Sequence, residues 1–148
     1  MRIGIDARTL MKNRVGMGTY THEVIKQLNF KNAEAIHTRA EDLAKNIKYR
    51  ETFDACVSRA VAQLNTLAEY CLPFVKLGGS MIAYKSNEIE EELGQSKKAI
   101  DILGGKIMEV KTFTVADYER KIVEIKKINS TPKKYPRKSG LATKEPIK

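Results

Sequence analysis

Cysteine is scarce in this chain: Cys56 and Cys71 are the only two among 148 residues. Each sits among apolar neighbours without the second pair or nearby histidine that a zinc site needs, so both read as buried free thiols and no metal is expected. No apolar run approaches eighteen residues, which leaves no candidate transmembrane helix. Asp6 and Arg8 interrupt the start of the chain before a secretory h-region can form, and the expected location is the cytoplasm. Acidic charge is short as well. Eighteen Asp/Glu face 27 Lys/Arg, for a formal net charge of +9, and residues 129–148 hold six Lys/Arg against the single Glu145. Basicity polarised toward one end favours a polyanionic partner, and nucleic acid fits that role better than a membrane. A domain of this size buries about two thirds of its unfolded surface, enough for a core without metal or disulfide.

The chain is organised around Phe53-Asp54-Ala55-Cys56-Val57-Ser58-Arg59-Ala60-Val61-Ala62, a buried-strand pattern running into an amphipathic helix over Val61–Lys76. Leu64, Leu67, Cys71 and Val75 mark its apolar stripe, and Pro73 ends or kinks it. Leu77-Gly78-Gly79 breaks the chain, and Ser80–Lys85 reads as the next strand. Strand, helix, strand is a βαβ crossover, so the fold class is α/β, with ligands expected at the carboxyl ends of the strands. A second helix over Asn87–Leu103 opens on an Asn87 N-cap and stops at Gly104-Gly105, with Glu90 to Glu92, Lys97 and Lys98 on its solvated face. Lys106–Val115 and Arg120–Ile128 alternate as an antiparallel hairpin. The two helices are expected on the faces of the sheet.

Upstream, Met1–Ala7 reads as a short strand, followed by a loop and a glycine-containing start to a helix through Leu28. Gly16 and Gly18 fit either a phosphate-cradling turn or simple turn geometry. Ala33–His37 reads as a further strand, with His37 a scaffold residue, and Thr38-Arg39-Ala40-Glu41-Asp42-Leu43 as its exit into a short helix. Glu41 and Asp42 suit the first turn of that helix through its dipole. From Asn129 the chain has three of its four prolines and no apolar period, so it is expected to be extended and mobile.

Ser58-Arg59-Ala60-Val61-Ala62, Leu67-Ala68-Glu69-Tyr70-Cys71-Leu72-Pro73 and Thr131-Pro132-Lys133-Lys134-Tyr135-Pro136-Arg137-Lys138 closely resemble the bacterial 16S rRNA guanine-N7 methyltransferase family, once called glucose-inhibited division protein B. The likeness runs over about residues 23–148. It implies a Rossmann-like, S-adenosylmethionine-dependent methyltransferase fold, here truncated: the family's helical N-terminal region and the glycine-rich turn over the methionine end of the cofactor are missing. The resemblance places Ala40 and Glu41 at the adenosine end of S-adenosylmethionine and Arg59 in the same site, where its planar fork suits a carboxylate. It implies 16S rRNA or the small ribosomal subunit as partner. Lys133, Lys134, Tyr135, Arg137 and Lys138, cations around a stacking ring, have the composition of an RNA contact.

Residues 1–21 instead resemble the opening of retaining GT-B glycosyltransferases, in Arg-Ile-Gly-Ile-Asp-Ala-Arg-Thr-Leu and Gly-x-Gly-x-Tyr-Thr. The expected organisation is a glycosyltransferase-like β-loop-α segment at 1–22, a partial methyltransferase domain at 23–128 and a basic extended tail at 129–148. The expected function is methylation of guanine N7 in 16S rRNA. The alternative is a catalytically inactive RNA-binding or vestigial fusion fragment.

Overall fold

The computed structural model describes residues 1–6, 32–34, 36, 38–59, 62–85, 89–115 and 118–148. The Gly16–Gly18 turn, the helix through Leu28, His37, the Asn87 cap and Ala116-Asp117 of the hairpin loop lie outside them. In order, the elements are β1 (Ile3–Asp6), α1 (Ala40–Leu43), β2 (Phe53–Arg59), α2 (Leu64–Cys71), a 3₁₀ turn (Leu72–Phe74), β3 (Val75–Lys85), α3 (Glu90–Ile102), β4 (Gly105–Val115), β5 (Tyr118–Lys127) and α4 (Leu141–Lys144). Among the described residues the sheet has five strands in the order β1-β2-β3-β5-β4. β1, β2 and β3 run parallel, while β5 returns antiparallel between β3 and β4. The βαβ crossover and the closing hairpin are therefore both present.

Three local expectations give way to tertiary structure. The helix predicted over Val61–Lys76 ends as α-helix at Cys71, because Pro73 has no N–H for the helical ladder and the chain tightens into the 3₁₀ turn. Val75 then opens β3 opposite Phe53, so Leu77-Gly78-Gly79 lies inside a strand. It forms a bulge: the register passes from Phe53↔Val75 to Ala55↔Ser80, with extra residues on β3. A Cβ on Gly79 would lie 2.6 Å from the Asp54 carbonyl oxygen, which makes glycine a requirement there. The strand predicted over Ala33–His37 does not form over its described residues, and Ala33, Glu34 and Ile36 are exposed, so their alternation meets no buried face.

Alternation along the strands sets the core. Cys56 and Ser58 on β2, Met81, Ala83 and Lys85 on β3, and Val123, Ile125 and Lys127 on β5 are buried at every second position. All eight residues of α2 are buried. Leu64, Leu67, Ala68 and Cys71 of α2 share one cluster with Ile100, Leu103, Met81 and Ile125. Both long helices thus cover the same face of the sheet and pack on each other, rather than taking opposite faces. Each fully buried Leu, Ile or Met contributes about 1.5–3 kcal/mol of transfer free energy. Cys56 and Cys71 are buried free thiols within this cluster.

The carboxy-terminal segment differs most from expectation. It is docked, with Thr131, Tyr135 and Ala142 buried and a helical turn at Leu141–Lys144. Composition predicts an extended tail because local sequence offers it no partner; long-range side chains supply one.

Candidate functional site

Parallel strands present their carboxyl ends on one edge, and the chain places β1's Asp6, β2's Arg59 and β3's Lys85 there. Asp6 is in register with Ser58, and Arg59 with Tyr84. Arg59 is exposed. Lys85 is not. At 8% exposure its ammonium donates to Glu92 Oε1 at 2.5 Å and to the Ala62 carbonyl oxygen at 2.6 Å. Glu92 Oε1 also accepts the Leu64 N–H at the start of α2. One carboxylate on α3 therefore ties the end of β3 to the start of α2. Glu92 was expected on the solvated face. The signal against that lies in Lys85, which continues the buried alternation of Met81 and Ala83 and so needs a counter-charge.

Ala40 and Glu41 lie at the start of α1. Ala40 is half-buried and packs against both hydrophobic clusters. Glu41 is buried, and its Oε1 accepts the Gly140 N–H at 3.2 Å; the neighbouring Asp42 Oδ2 accepts the Ser139 hydroxyl at 3.2 Å. Beyond Gly140, the Ala142 carbonyl accepts the Thr66 hydroxyl at 3.0 Å in the first turn of α2. Of the predicted cofactor set, Arg59 ends β2 at the strand edge, and the α1 pair packs under the stretch of the carboxy-terminal segment that reaches the first turn of α2.

The earlier part of that segment, Thr131 to Arg137, is held near the opposite, amino edge of the sheet, while Ala142 and Ile147 reach the first turn of α2. Arg137 pairs with Glu69 of α2, which is fully buried. Arg50 donates to the carbonyls of Thr131 at 2.8 Å and Tyr135 at 2.9 Å, and Glu51 Oε1 accepts the Thr131 N–H at 2.7 Å. Lys127, buried at the end of β5, donates to the Leu72 carbonyl at 2.7 Å and to Thr131 Oγ1, and lies 3.2 Å from Glu51 Oε1. Burial pushes its pKa down to about 8, against the opposing pull of Glu51. Arg50, Glu51, Glu69 and Lys127 were not singled out in the sequence. For Lys127 a signal existed, since it falls in phase with the buried Val123 and Ile125.

Of the five residues read as an RNA contact, Lys133, Lys134 and Lys138 are exposed. Tyr135 is buried, with the Lys134 ammonium 5.3 Å and the Arg137 guanidinium 6.0 Å from its ring centre, so its ring is scaffold in this fold. Six residue steps along β2 separate the amino edge from Arg59, a distance of about 20 Å at the usual strand rise. Among the described residues no helix is long and apolar enough to cross a membrane.

Comparison with known proteins agrees with this architecture. Among solved structures, an rRNA methylase from Streptococcus thermophilus superposes with a TM-score of 0.56 at 16% identity, covering 86% of this chain and 73% of that one. M. jannaschii TYW2, in complex with AdoMet, gives 0.55 at 16% identity over 85% of this chain and 57% of its own. A precorrin-6y C5,15-methyltransferase from Geobacter metallireducens GS-15 gives 0.58 at 12% identity over 84% of this chain and 66% of its own. At such identities the likeness is one of fold, the Rossmann-like fold of methyltransferases. Sequence relatives are nearer. The ribosomal RNA small subunit methyltransferase G of Clostridium novyi (strain NT) is 51% identical over 127 residues, covering 84% of this chain and 52% of that protein. Its counterpart from Brevibacillus brevis is 48% identical over 131 residues, covering 87% and 55%. The chain spans about half the length of these curated relatives. The profile of the family described as GidB, rRNA small subunit methyltransferase G, matches residues 8–123. With that match across most of its length, the chain belongs to the GidB rRNA small subunit methyltransferase G family.

Proposed function

We propose that this chain provides the later-strand half of an S-adenosylmethionine-dependent enzyme that methylates guanine N7 in 16S rRNA, acting in the cytoplasm on that RNA or on the small ribosomal subunit. The observation that carries the reading is the identity of about half to relatives named ribosomal RNA small subunit methyltransferase G. Arg59 suits the methionine carboxylate, because it stands at a strand's carboxyl end and the planar fork of a guanidinium matches a carboxylate. Ala40 and Glu41 take the adenosine end. As folded, Glu41 is engaged by Gly140, so direct use of its carboxylate calls for a shift of that segment. Lys133, Lys134 and Lys138 supply phosphate contacts. Residues 1–22 are read as a glycosyltransferase-like segment that overlaps the family match from residue 8 onward, and its strand, β1, pairs in parallel with β2.

When bound, S-adenosylmethionine supplies an activated methyl group. Guanine N7 carries an in-plane lone pair and loses no proton on methylation, so the protein's task is to orient the base and exclude water. No general base is required. Arg59 orients, and the Lys85–Glu92–Leu64 tie holds the start of α2 against the end of β3 beside it.

A second reading is a catalytically inactive RNA-binding or vestigial fusion fragment, favoured by the engagement of Glu41 with Gly140 at the expected adenosine end. Two measurements separate them. Calorimetric titration with S-adenosylmethionine is expected to show weak binding that Arg59→Ala weakens further; sub-micromolar affinity overturns the partial-site account. Incubation with 16S rRNA and cofactor, read by chain scission specific for 7-methylguanine, supports the enzyme if methyl is found at N7. RNA binding without methylation supports the second reading.

A further inference from the structure

The Arg50 guanidinium joins two lysine-bearing segments that are far apart in sequence. Its Nη1 donates to the carbonyls of Ala44 at 3.3 Å and Tyr135 at 2.9 Å, and its Nη2 to those of Thr131 at 2.8 Å and Pro132 at 3.4 Å. The Ala44 and Tyr135 oxygens share one nitrogen, so they are no farther apart than the sum of those two distances. Lys45 follows Ala44 directly. Lys133 and Lys134 fill the interval between Pro132 and Tyr135. All three are exposed, as is Lys48 one turn farther along the same loop.

Among the described residues, the loop lysines pair with Asp42, 3.9 Å from Lys45, and Glu34, 3.9 Å from Lys48. All four of these side chains are more than half exposed. Ion pairs so open to water are weak and yield readily to a phosphate. The Lys134 ammonium over the buried Tyr135 ring, and the Lys48 ammonium 5.0 Å from the centre of the buried Tyr49 ring, are held near anchored surfaces rather than on free stems.

We propose that Lys45 and Lys48 form, together with Lys133 and Lys134, one composite surface that grips the phosphate backbone of an RNA strand across the amino edge of the sheet, with Arg50 fixing the two halves relative to each other. This rests on the RNA reading above and extends it. It adds a loop that carries none of the residues first read as RNA contacts, and it sets the grip about 20 Å from Arg59. The contact anchors RNA away from the base at the strand edge.

The test is RNA affinity by fluorescence anisotropy from low to moderate salt, using a short single-stranded RNA of mixed sequence. The full chain is compared with Lys45→Ala/Lys48→Ala, Lys133→Ala/Lys134→Ala and the fourfold variant, each checked for unchanged thermal unfolding. A lysine contact to a single strand contributes about 0.7 to the log-log salt slope, so each double variant is expected to lose about 1.4 and the fourfold variant about 2.8. If the tail variant loses affinity and slope while the loop variant keeps both, the composite surface is wrong and the RNA reading stands. If the full chain binds no RNA at any salt, both fall.

Discussion

Glu69, buried in the second long turn of α2, and Arg137, in the carboxy-terminal segment, form a two-pronged ion pair. Arg137 Nη2 lies 2.7 Å from Glu69 Oε2 and Nε 3.0 Å from Oε1, while the Arg137 backbone N–H donates to the same Oε1 at 2.8 Å. Glu69 is 1% exposed. A carboxylate so buried needs its partner, and the partner comes from residues that composition alone leaves in solvent. The resemblance to the rRNA methyltransferase family rested on both stretches, and the structure shows them to be one contact.

Removing one partner of such a pair leaves an uncompensated charge or breaks the dock. Arg137→Ala is expected to lower the unfolding free energy by about 3 kcal/mol. Urea unfolding measures it, and faster tryptic cleavage after Lys138 should accompany the loss. A change under about 0.5 kcal/mol would show that the segment docks without this pair.

Lys127 links stability to pH. Its folded-state pKa is about 8, below the unfolded value near 10.5, so the unfolded chain binds more protons between these values. Stability therefore rises with pH across that window. Between pH 7.5 and 9.5 the rise from this group amounts to about 2 kcal/mol. Denaturant titrations at the two pH values, on the native chain and on Lys127→Met, check it: the variant should lack that increment.

Asp54 acts at the acid end. The Lys76 ammonium, 2.6 Å away, and the Arg2 N–H hold its carboxyl down to about 2. With the folded pKa below the unfolded one, its contribution is present above about pH 4 and is lost as pH falls through 2. Because Arg2 precedes β1, protection of the Ile3–Asp6 amides against hydrogen exchange should drop between pH 4 and 2. Asp54→Asn should remove most of that pH dependence.

Gly104 closes the turn after α3 with φ of +84°, and a Cβ there would fall 2.0 Å from the Asn129 carbonyl oxygen. Gly104→Ala is expected to cost on the order of 3 kcal/mol or more, since both the backbone conformation and the close approach to the end of β5 oppose it. Gly94→Ala is the control: its position in α3 is open, and it should stabilise by up to about 1 kcal/mol. Thermal unfolding of the two variants should move in opposite directions.

Periodicity along the sequence determined the two long helices, β2, the far part of β3 and the hairpin, because a period of two or 3.6 records which side of an element meets the core. The same residues carried the family. The position of Arg59 at the carboxyl end of a parallel strand was legible for that reason. Tertiary structure alone decided what the charges do. Lys85 with Glu92, Lys127 with Glu51, Arg50 with Thr131 and Tyr135, and Glu69 with Arg137 join separate elements, some of them more than sixty residues apart. A one-dimensional pattern registers that a lysine falls in a buried phase but not which carboxylate stands opposite. The tail's prolines and lysines read as solvated chain for the same reason: their partners lie on α2 and in the turn before β2, and only folding brings those surfaces within hydrogen-bond reach.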